Sequence, residues 1–242
     1  MNINVDFETH FSLLNDKVRN TEDKEITING CMGQRYIATG LSGKLVTING
    51  TPGNALGAYL NGADIIVNGN AQDATGDTMN YGRIIVYGNV GDTTGYAMRG
   101  GKIYIKGNAG YRTGIHMKEY GEHKPIIVIG GRVGSFIGEY QAGGVIVVLG
   151  NNSDGLPVIN NFTGTGMHGG KMYIRCKKLP KSVPEQVATT LICGKDAPEL
   201  VKILEDYCSY FPEYDAQKLL NSDFVLITPD AHNPYKQMYT QN

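Results

Sequence analysis

A glycine returns every nineteen or twenty residues along most of this chain, each time at the end of a short aliphatic run. Successive anchor glycines are separated by 20, 19, 19, 19, 23 and 20 residues, and an eighth copy ends in cysteine. Self-similarity at a fixed period of this length predicts that one structural unit is stacked on the next. The anchors are Gly30, Gly50, Gly69, Gly88, Gly107, Gly130, Gly150 and Cys176.

The aliphatic run before each anchor alternates with a period of two, which predicts a strand with one face turned inward. The inward positions lie two and four residues before the anchor: Ile26/Ile28, Val46/Ile48, Ile65/Val67, Ile84/Val86, Ile103/Ile105, Ile126/Val128, Ile146/Val148 and Met172/Ile174. The position three residues before the anchor then points outward. It is occupied by Thr27, Thr47, Ile66, Ile85, Tyr104, Ile127, Val147 and Tyr173.

Each repeat also carries an apolar residue nine positions before the anchor, such as Leu60, and a small residue twelve positions before it, such as Gly57. A unit of this size is too short for a strand–helix–strand motif, which needs roughly thirty residues. It fits one coil of a β-helix, and we expect an all-β solenoid: a single-stranded right-handed parallel β-helix of seven to eight coils. A β-propeller is the alternative. Asparagines beside the anchors predict stacked amide ladders.

The pattern predicts three segments: residues 1–24 as a strand and helix cap, residues 25–176 as the repeats, and residues 177–242 as a helix followed by an extended tail. An amphipathic stretch within residues 4–19 predicts the first helix. The second helix is predicted to start at Asp196, an N-cap acid followed by an early proline and by a glutamate at the third position. Its apolar stripe begins at Leu200.

The outward apolar positions form a stripe along most of the repeats, and a stripe of this length should not face water. Either the terminal helices and the tail cover it, or another chain does, and a homo-oligomer formed through it is one form of the second interpretation. The net charge is −1, so neither nucleic acid nor an anionic membrane is an expected partner. No signal sequence or membrane span is apparent, and the four scattered cysteines suggest free thiols in the cytoplasm.

Few residues suggest chemistry. The glycine-rich loops at 91–95 and 110–114 could cradle a phosphate, but they lack the lysine of a phosphate loop and recur once per repeat. The repeat ending at Gly130 carries a four-residue insertion, and His116 and His123 near it could bind a metal or act as an acid–base pair beside Lys118, Glu119, Glu122 and Lys124. A solvated loop is the simpler interpretation. Two further residues, His168 and Cys176, are interpreted as structural.

The segment at residues 88–101, Gly-Asn-Val-Gly-Asp-Thr-Thr-Gly-Tyr-Ala-Met-Arg-Gly-Gly, resembles the glycine-rich repeat called GXGXG. Similar segments are found at 33–41, 138–144 and 164–170. This repeat occurs in the C-terminal domain of the large (alpha) subunit of glutamate synthase, and a related form occurs in one subunit of formylmethanofuran dehydrogenase. The final segment, from Tyr207 through Tyr239, resembles the glutamate synthase domain in its stand-alone form.

The resemblance implies a supporting role in an oxidoreductase that makes glutamate from glutamine and 2-oxoglutarate. In that family the repeat domain braces an amidotransferase domain and a domain that holds FMN and an iron–sulfur cluster. We therefore expect no catalytic, cofactor-binding or metal residue in this chain, and we expect FMN and the cluster on partner chains. The alternatives are a scaffold of a formylmethanofuran-dehydrogenase-type complex, a free-standing homo-oligomer, and an enzyme that uses the insertion from His116 to Lys124.

Overall fold

The computed structural model describes residues 1–151, 153–179 and 183–230, and within them each repeat supplies one strand to a single sheet. The eleven strands lie in the order β1 to β9, then β11, then β10. Strands β1 to β9 run parallel, while β11 is antiparallel to both of its neighbours. The strands are β1 (Asn2–Asn4), β2 (Glu25–Met32), β3 (Leu45–Thr51), β4 (Asn61–Asn68), β5 (Tyr81–Val86), β6 (Lys102–Ile105), β7 (Ile126–Ile129), β8 (Ala142–Val148), β9 (Gly169–Ile174), β10 (Val187–Cys193) and β11 (Asp223–Pro229).

Equivalent residues of consecutive repeats are direct partners across the sheet, so Ile28 pairs with Ile48 and Ile48 with Val67. The predicted amide ladder is confirmed beside these residues. The Asn49 side chain donates to Asn29 Oδ1 at 2.7 Å, and Asn68 donates to Asn49 Oδ1 at 2.8 Å. The Asn49 side chain thereby donates to one neighbouring repeat and accepts from the other, so both halves of its amide are hydrogen-bonded where the strand meets the turn.

Between strands, each repeat makes a turn in which three alternate residues have positive φ. We call them the first, middle and last turn positions. The first positions are Tyr36, Ala55, Ala74, Thr93, Arg112, Phe136 and Phe162, the middle positions are Ala38, Gly57, Gly76, Gly95, Gly114, Gly138 and Gly164, and the last positions are Gly40, Tyr59, Thr78, Ala97, His116, Tyr140 and Gly166. The small residues predicted from the sequence are therefore the middle positions.

The turns of neighbouring repeats are joined by backbone hydrogen bonds. The amide of Ala55, a first position, donates to Asp73 O in the next repeat at 2.9 Å. The amide of Gly57, a middle position, donates to Ile37 O in the preceding repeat at 2.8 Å. The same pattern recurs at the later turns, so the turns form a second hydrogen-bonded layer beside the sheet.

The predicted fold class is wrong. The described strands form one open, mixed sheet, whereas a right-handed parallel β-helix needs several parallel sheets that wrap around a core. The second apolar position of each repeat, such as Leu60, lies in a turn with left-handed residues rather than in a strand. The left-handed residues of the turn cannot belong to a strand, which requires extended φ and ψ. The repeat period alone did not reveal this, because a stacked turn and a stacked strand recur at the same interval.

One core lies between the sheet and the turn layer. It joins the inward strand residues, such as Ile65 and Ile103, to apolar residues of the turns, such as Leu56 and Met79, all fully buried. Gln141 occupies the equivalent of Met79 in its own repeat and is also fully buried. Its Nε2 donates to the carbonyls of Gly143 and Gly144 at 3.1 Å, which satisfies the donor half of the amide, while Oε1 is buried without a hydrogen-bond partner among the described residues.

Two helices cover the outward face of the sheet. They are α2 (Pro198–Tyr210) and α3 (Ala216–Leu220), and their buried side chains form a second core with the outward strand residues, among them Ile85, Val147 and Tyr173. The helix predicted after the repeats is thus confirmed, although Asp196 does not cap it: the N-cap is Ala197, without a side-chain bond. Of the predicted stripe, Ile85, Tyr104, Val147 and Tyr173 are covered by the chain itself.

One repeat was predicted in the wrong register. In β7 the inward residues are Ile127 and Ile129, which join the first core, and the outward residue is Val128, which pairs with Tyr104. The anchor of this repeat is therefore Gly131 rather than Gly130. A shift of one residue moves every side chain of a strand to the other face, so an insertion of uncertain length was enough to invert the prediction.

Helix α2 is also held to the sheet by polar contacts. The Asp206 carboxylate accepts a hydrogen bond from Lys102 Nζ at 2.5 Å and one from the buried Tyr104 hydroxyl at 2.7 Å. One turn further, the Tyr210 hydroxyl accepts from Arg83, which also pairs with Asp64 at 2.6 Å. The Tyr207 hydroxyl donates to Ile105 O at 3.1 Å.

The N-terminal helix α1 (Phe11–Asn20) confirms the first predicted helix. Its buried residues, Leu14 and Val18, join the first core, and Lys44 Nζ donates to three carbonyls at its C-terminal end. Within the described ranges, no helix is long and apolar enough to cross a membrane. Of the predicted extended tail, residues 231–242 lie outside the described residues.

The contacts of Asp206 predict a pH-dependent contribution to stability. Burial alone would raise the pKa of this carboxyl, but the bonds from Lys102 and Tyr104 outweigh it and hold the pKa below the ordinary value of 3.8. A carboxyl whose pKa is lowered by folding stabilises the folded state in full above its unfolded pKa of about 4. This contribution to stability is lost as the pH falls through the lower, folded-state pKa. We expect Asp206→Asn to lower the free energy of unfolding by about 1 kcal/mol at pH 7.

Urea unfolding at pH 7 and pH 3 measures this effect, and Asp16→Asn on the exposed side of α1 is the matched control. The difference between Asp206→Asn and the wild type should be smaller at pH 3 than at pH 7, while the control matches the wild type at both values. An equal loss at both pH values would show that the carboxylate charge is not what holds α2.

The middle turn positions predict a second effect. A Cβ on Gly114 would lie 2.5 Å from Ile146 Cδ1, at a φ of +71°, whereas a Cβ on Gly40 at a last position would meet nothing within 4 Å. We expect Gly114→Ala to cost about 2–4 kcal/mol of stability and Gly40→Ala about 1 kcal/mol, because only the first adds overpacking to the left-handed strain. Thermal unfolding of the two variants tests this, and equal costs would contradict it.

Candidate functional site

The insertion places its two histidines against different neighbours. His116 is a last turn position, and its ring stacks on Tyr140 with centroids 5.2 Å apart. His123 lies in the hairpin that follows, where it pairs with Tyr120, and its ring meets the edge of Tyr81 at 6.1 Å. Neither imidazole is hydrogen-bonded to the other. In the described part of the chain, no group of three or more His, Cys, Asp or Glu residues could hold a metal ion.

The charged residues of the insertion have separate roles. Lys124 Nζ pairs with Glu199 of α2 at 3.0 Å, and Glu119 accepts a hydrogen bond from the Gly144 amide at 3.2 Å. Glu122 and His123 line a cavity of about 560 Å³. Residues 119–124 are all exposed, so the loop is solvated along its length, although Glu119 and Lys124 attach it to the sheet and to α2.

The glycine-rich loops are parts of the turn layer. The amide of Gly95 donates to Thr75 O at 2.8 Å, and the amide of Gly114 donates to Thr94 O at 2.8 Å. Because these amides are already bonded to neighbouring repeats, they are not available to bind a phosphate.

His168 and Cys176 are placed as structural residues. His168 Nδ1 lies 3.0 Å from Gly166 O, within the last turn. Burial raises the pKa of the Cys176 thiol, so the adjacent Lys177 does not create an activated thiolate. Burial likewise raises the pKa of Cys31 to about 11 and that of Cys208 to about 11. All four cysteines are free.

The most unusual surface is formed by the outer side chains of the later turns. We call it the turn face and define it by Arg112, Phe136 and Phe162 at first positions together with His116 and Tyr140 at last positions. The Phe136 and Phe162 rings stack at 4.7 Å, with an angle of 18° between their planes. The Arg112 guanidinium lies over Phe136 at 4.9 Å and pairs with Glu139 at 3.0 Å.

A second row of rings runs parallel to the first. Tyr96 meets the edge of His116 at 5.9 Å, and His116 stacks on Tyr140. These rings remain partly open to solvent: Phe162 is 56 % exposed and Tyr140 is 42 % exposed. Offset stacks and cation–π contacts of this kind contribute about 0.5–1.5 kcal/mol each, so they order the rings without burying them.

These aromatic residues occupy backbone positions where glycine would cost less. Phe136, Tyr140 and Phe162 have φ of 65°, 53° and 60°. A residue with a Cβ pays about 1–2 kcal/mol in this region, and glycine does occupy the last position in two other turns. Rings that are both strained and exposed are better explained by contact with something outside the chain than by folding.

Of the residues that form the turn face, His116 alone was singled out from the sequence, as the partner of His123, and the surface was not identified. A signal was present, because the first and last positions lie two residues before and after each small middle residue. Reading those two columns gives Phe and Arg at one position and Tyr and His at the other over consecutive repeats. The prediction instead relied on the strand positions, where the stripe proved to be covered.

Comparison with known proteins shows where this architecture occurs. The sequence profile described as the GXGXG motif matches residues 5–230. An uncharacterized protein of Methanocaldococcus jannaschii is 40 % identical over 245 residues, covering 96 % of this chain and 94 % of that protein.

Among solved structures, a chain of the formyltransferase/hydrolase complex (FhcABCD) from Methylorubrum extorquens, in complex with methylofuran, has a similar fold. The TM-score is 0.62 at 20 % sequence identity, and the match covers 87 % of this chain and 80 % of that one. At this identity the similarity establishes the fold alone.

The thiol environments give a testable prediction. With a pKa of about 11, Cys31 and Cys208 hold roughly two-hundredfold less thiolate at pH 8 than an ordinary cysteine, whose pKa is near 8.5. We expect iodoacetamide to alkylate both thiols slowly at pH 8 and about tenfold faster for each further pH unit up to 10. Peptide mass spectrometry measures the rates, with glutathione as the reference. Alkylation of either thiol as fast as glutathione at pH 8 would contradict the assignment.

Proposed function

Because this chain belongs to the GXGXG-motif family, we propose that it is a structural subunit of a multi-subunit oxidoreductase, without catalytic residues of its own. The observation that carries the proposal is the turn face. Its stacked rings are exposed and held at strained backbone positions, as expected of a rigid surface that contacts another chain. In this proposal, the repeats of residues 25–176 form the scaffold, and residues 1–24 and 177–242 cap it.

The finer proposal is an enzyme of the glutamate synthase type. The chain would brace an amidotransferase part and a part that carries FMN and an iron–sulfur cluster, all on partner chains in the cytoplasm. The support comes from the GXGXG repeat and from the final segment, which resembles the stand-alone form of that family's domain. No cofactor is assigned to this chain in the proposal.

A second candidate is a scaffold like the GXGXG-repeat subunit of formylmethanofuran dehydrogenase. It is favoured by the fold of the chain from the Methylorubrum extorquens complex, which is a multi-subunit assembly solved in complex with methylofuran. In both candidates the chain has the same task, and they differ in the partner. The metal and cofactor content of the partner therefore distinguishes them.

A free homo-oligomer is less well supported, because the face of the sheet that was expected to join two copies is covered by the chain's own helices. The outward residues from Ile85 to Tyr173 pack against α2 and α3, which removes most of the stripe that would have joined two copies. At the start of the stripe, Thr27 and Thr47 are polar, and Ile66 is half-buried. The turn face, by contrast, leaves aromatic rings open to solvent, with Phe162 56 % and Tyr140 42 % exposed.

The experiment is a pull-down from native extract with the full chain as bait. We expect a co-eluting oxidoreductase chain and a flavin absorption band for the glutamate synthase candidate, or molybdenum or tungsten by elemental analysis for the second candidate. A colourless eluate without either partner would contradict the scaffold proposal.

Two bait variants test whether the turn face makes the contact. Phe162→Gly removes an exposed ring at positive φ, and we expect at least tenfold less partner in the eluate with a thermal midpoint close to that of the wild type. The small stability change follows because relief of about 1 kcal/mol of strain offsets the lost stacking. Phe7→Gly, at an exposed ring near the N-terminus, should capture as much partner as the wild type. Equal capture by both variants would place the contact elsewhere.

A further inference from the structure

A groove lies between the tip of the inserted hairpin and the preceding repeats. It encloses about 570 Å³ and is lined by Tyr59, Asn61, Asn80, Arg99, Tyr120 and His123. Its volume falls within the range of small-molecule sites, roughly 300–1,000 Å³. The two tyrosines are among the most exposed rings of the molecule, at 56 % for Tyr59 and 64 % for Tyr120.

The groove carries a positive charge without a matching negative one. Among its lining residues, Arg99 is the one permanent ion, and its guanidinium has no ion pair or hydrogen bond within the described ranges. Arg99 follows the buried Met98, and Lys118 follows Met117 at the same position of the next repeat, so the two cations belong to adjacent repeats. The Lys118 amide donates to Met98 O at 3.0 Å, so the two cations lie on neighbouring turns of the chain, and like charges placed there repel each other unless an anion lies near them.

The neighbouring cavity on the other side of His123 shows the contrast. There the cations are matched by carboxylates: Arg83 pairs with Asp64, Lys102 with Asp206 and Lys124 with Glu199. The first pair joins two neighbouring strands, and the other two pairs join the repeats to α2. No carboxylate lines the groove of Arg99, and the amides of Asn61 and Asn80 add neutral hydrogen-bond groups.

We propose that this groove binds a small organic anion, with its carboxylate or phosphate on Arg99 and a planar ring against Tyr59 or Tyr120. A guanidinium binds either oxyanion through paired N–H donors, and a tyrosine face binds a planar ring by stacking. Among the described residues, the hairpin that carries Tyr120 and His123 belongs to the repeat with the insertion, and this distinguishes the groove from the equivalent surfaces of the other repeats. The site is independent of the partner contact at the turn face.

Isothermal titration of the full chain tests the site with adenosine monophosphate and benzoate, each paired with its uncharged counterpart, adenosine and benzamide. We expect at least one of the two anions to bind at least tenfold more tightly than its counterpart. Binding by adenosine monophosphate alone identifies phosphate as the oxyanion, and binding by benzoate alone identifies carboxylate. Failure of both anions would overturn the proposal.

Variants locate the binding. Arg99→Gln should weaken the anion at least tenfold, and Tyr120→Ala should weaken it severalfold, while the exposed Arg35→Gln should change it less than twofold. Thermal midpoints of all three should stay near the wild type, because none of these side chains is in a core. Wild-type affinity in Arg99→Gln would overturn the proposal, and it would leave the pull-down result at the turn face unaffected.

Discussion

Backbone hydrogen bonds between corresponding segments of neighbouring repeats hold every other feature of this protein in place. They join the strands, as in any sheet, and they also join the turns, where first positions such as Ala74 donate forward and middle positions such as Gly76 donate back. Because both layers have the same period, the side chains of each repeat stack on those of the next. The core, the amide ladder and the rows of surface rings are consequences of this one constraint.

The sequence predicted the parts of the fold that depend on side-chain alternation. Inward residues such as Ile65, the amide ladder at Asn49 and the helix after the repeats all follow from local patterns, and all were found. The fold class did not follow, because a turn with alternating left-handed residues has the same period as a strand and leaves the same small residue in the sequence. The register at Val128 failed for another reason: the insertion made its repeat 24 rather than 23 residues long, measured from Gly107 to Gly131.

Apolar side chains are buried on one side of the molecule and left exposed on the other. On the outer face of the sheet, rings such as Tyr104 are buried beneath α2, and polar contacts to Asp206 fix the helix in place. On the turn face, rings such as Phe162 are left at the surface and ordered by stacking. The sequence singled out His116 and His123 as a pair, whereas the structure places His116 against Tyr140 and His123 against Tyr81. Only the backbone conformation, which the sequence does not display, shows that the rings of the turn face are strained.

The central claim is that the turn layer is a rigid hydrogen-bonded part of the fold that can present side chains to a partner. Amide hydrogen exchange of the isolated chain measures this most directly. The amides of Thr93 and His116, which donate to the next repeat at 2.7 and 2.9 Å, should exchange as slowly as strand amides such as that of Ile103. Exchange of the turn amides within seconds, while the strand amides stay protected, would show that the turns are loose loops and would contradict the account.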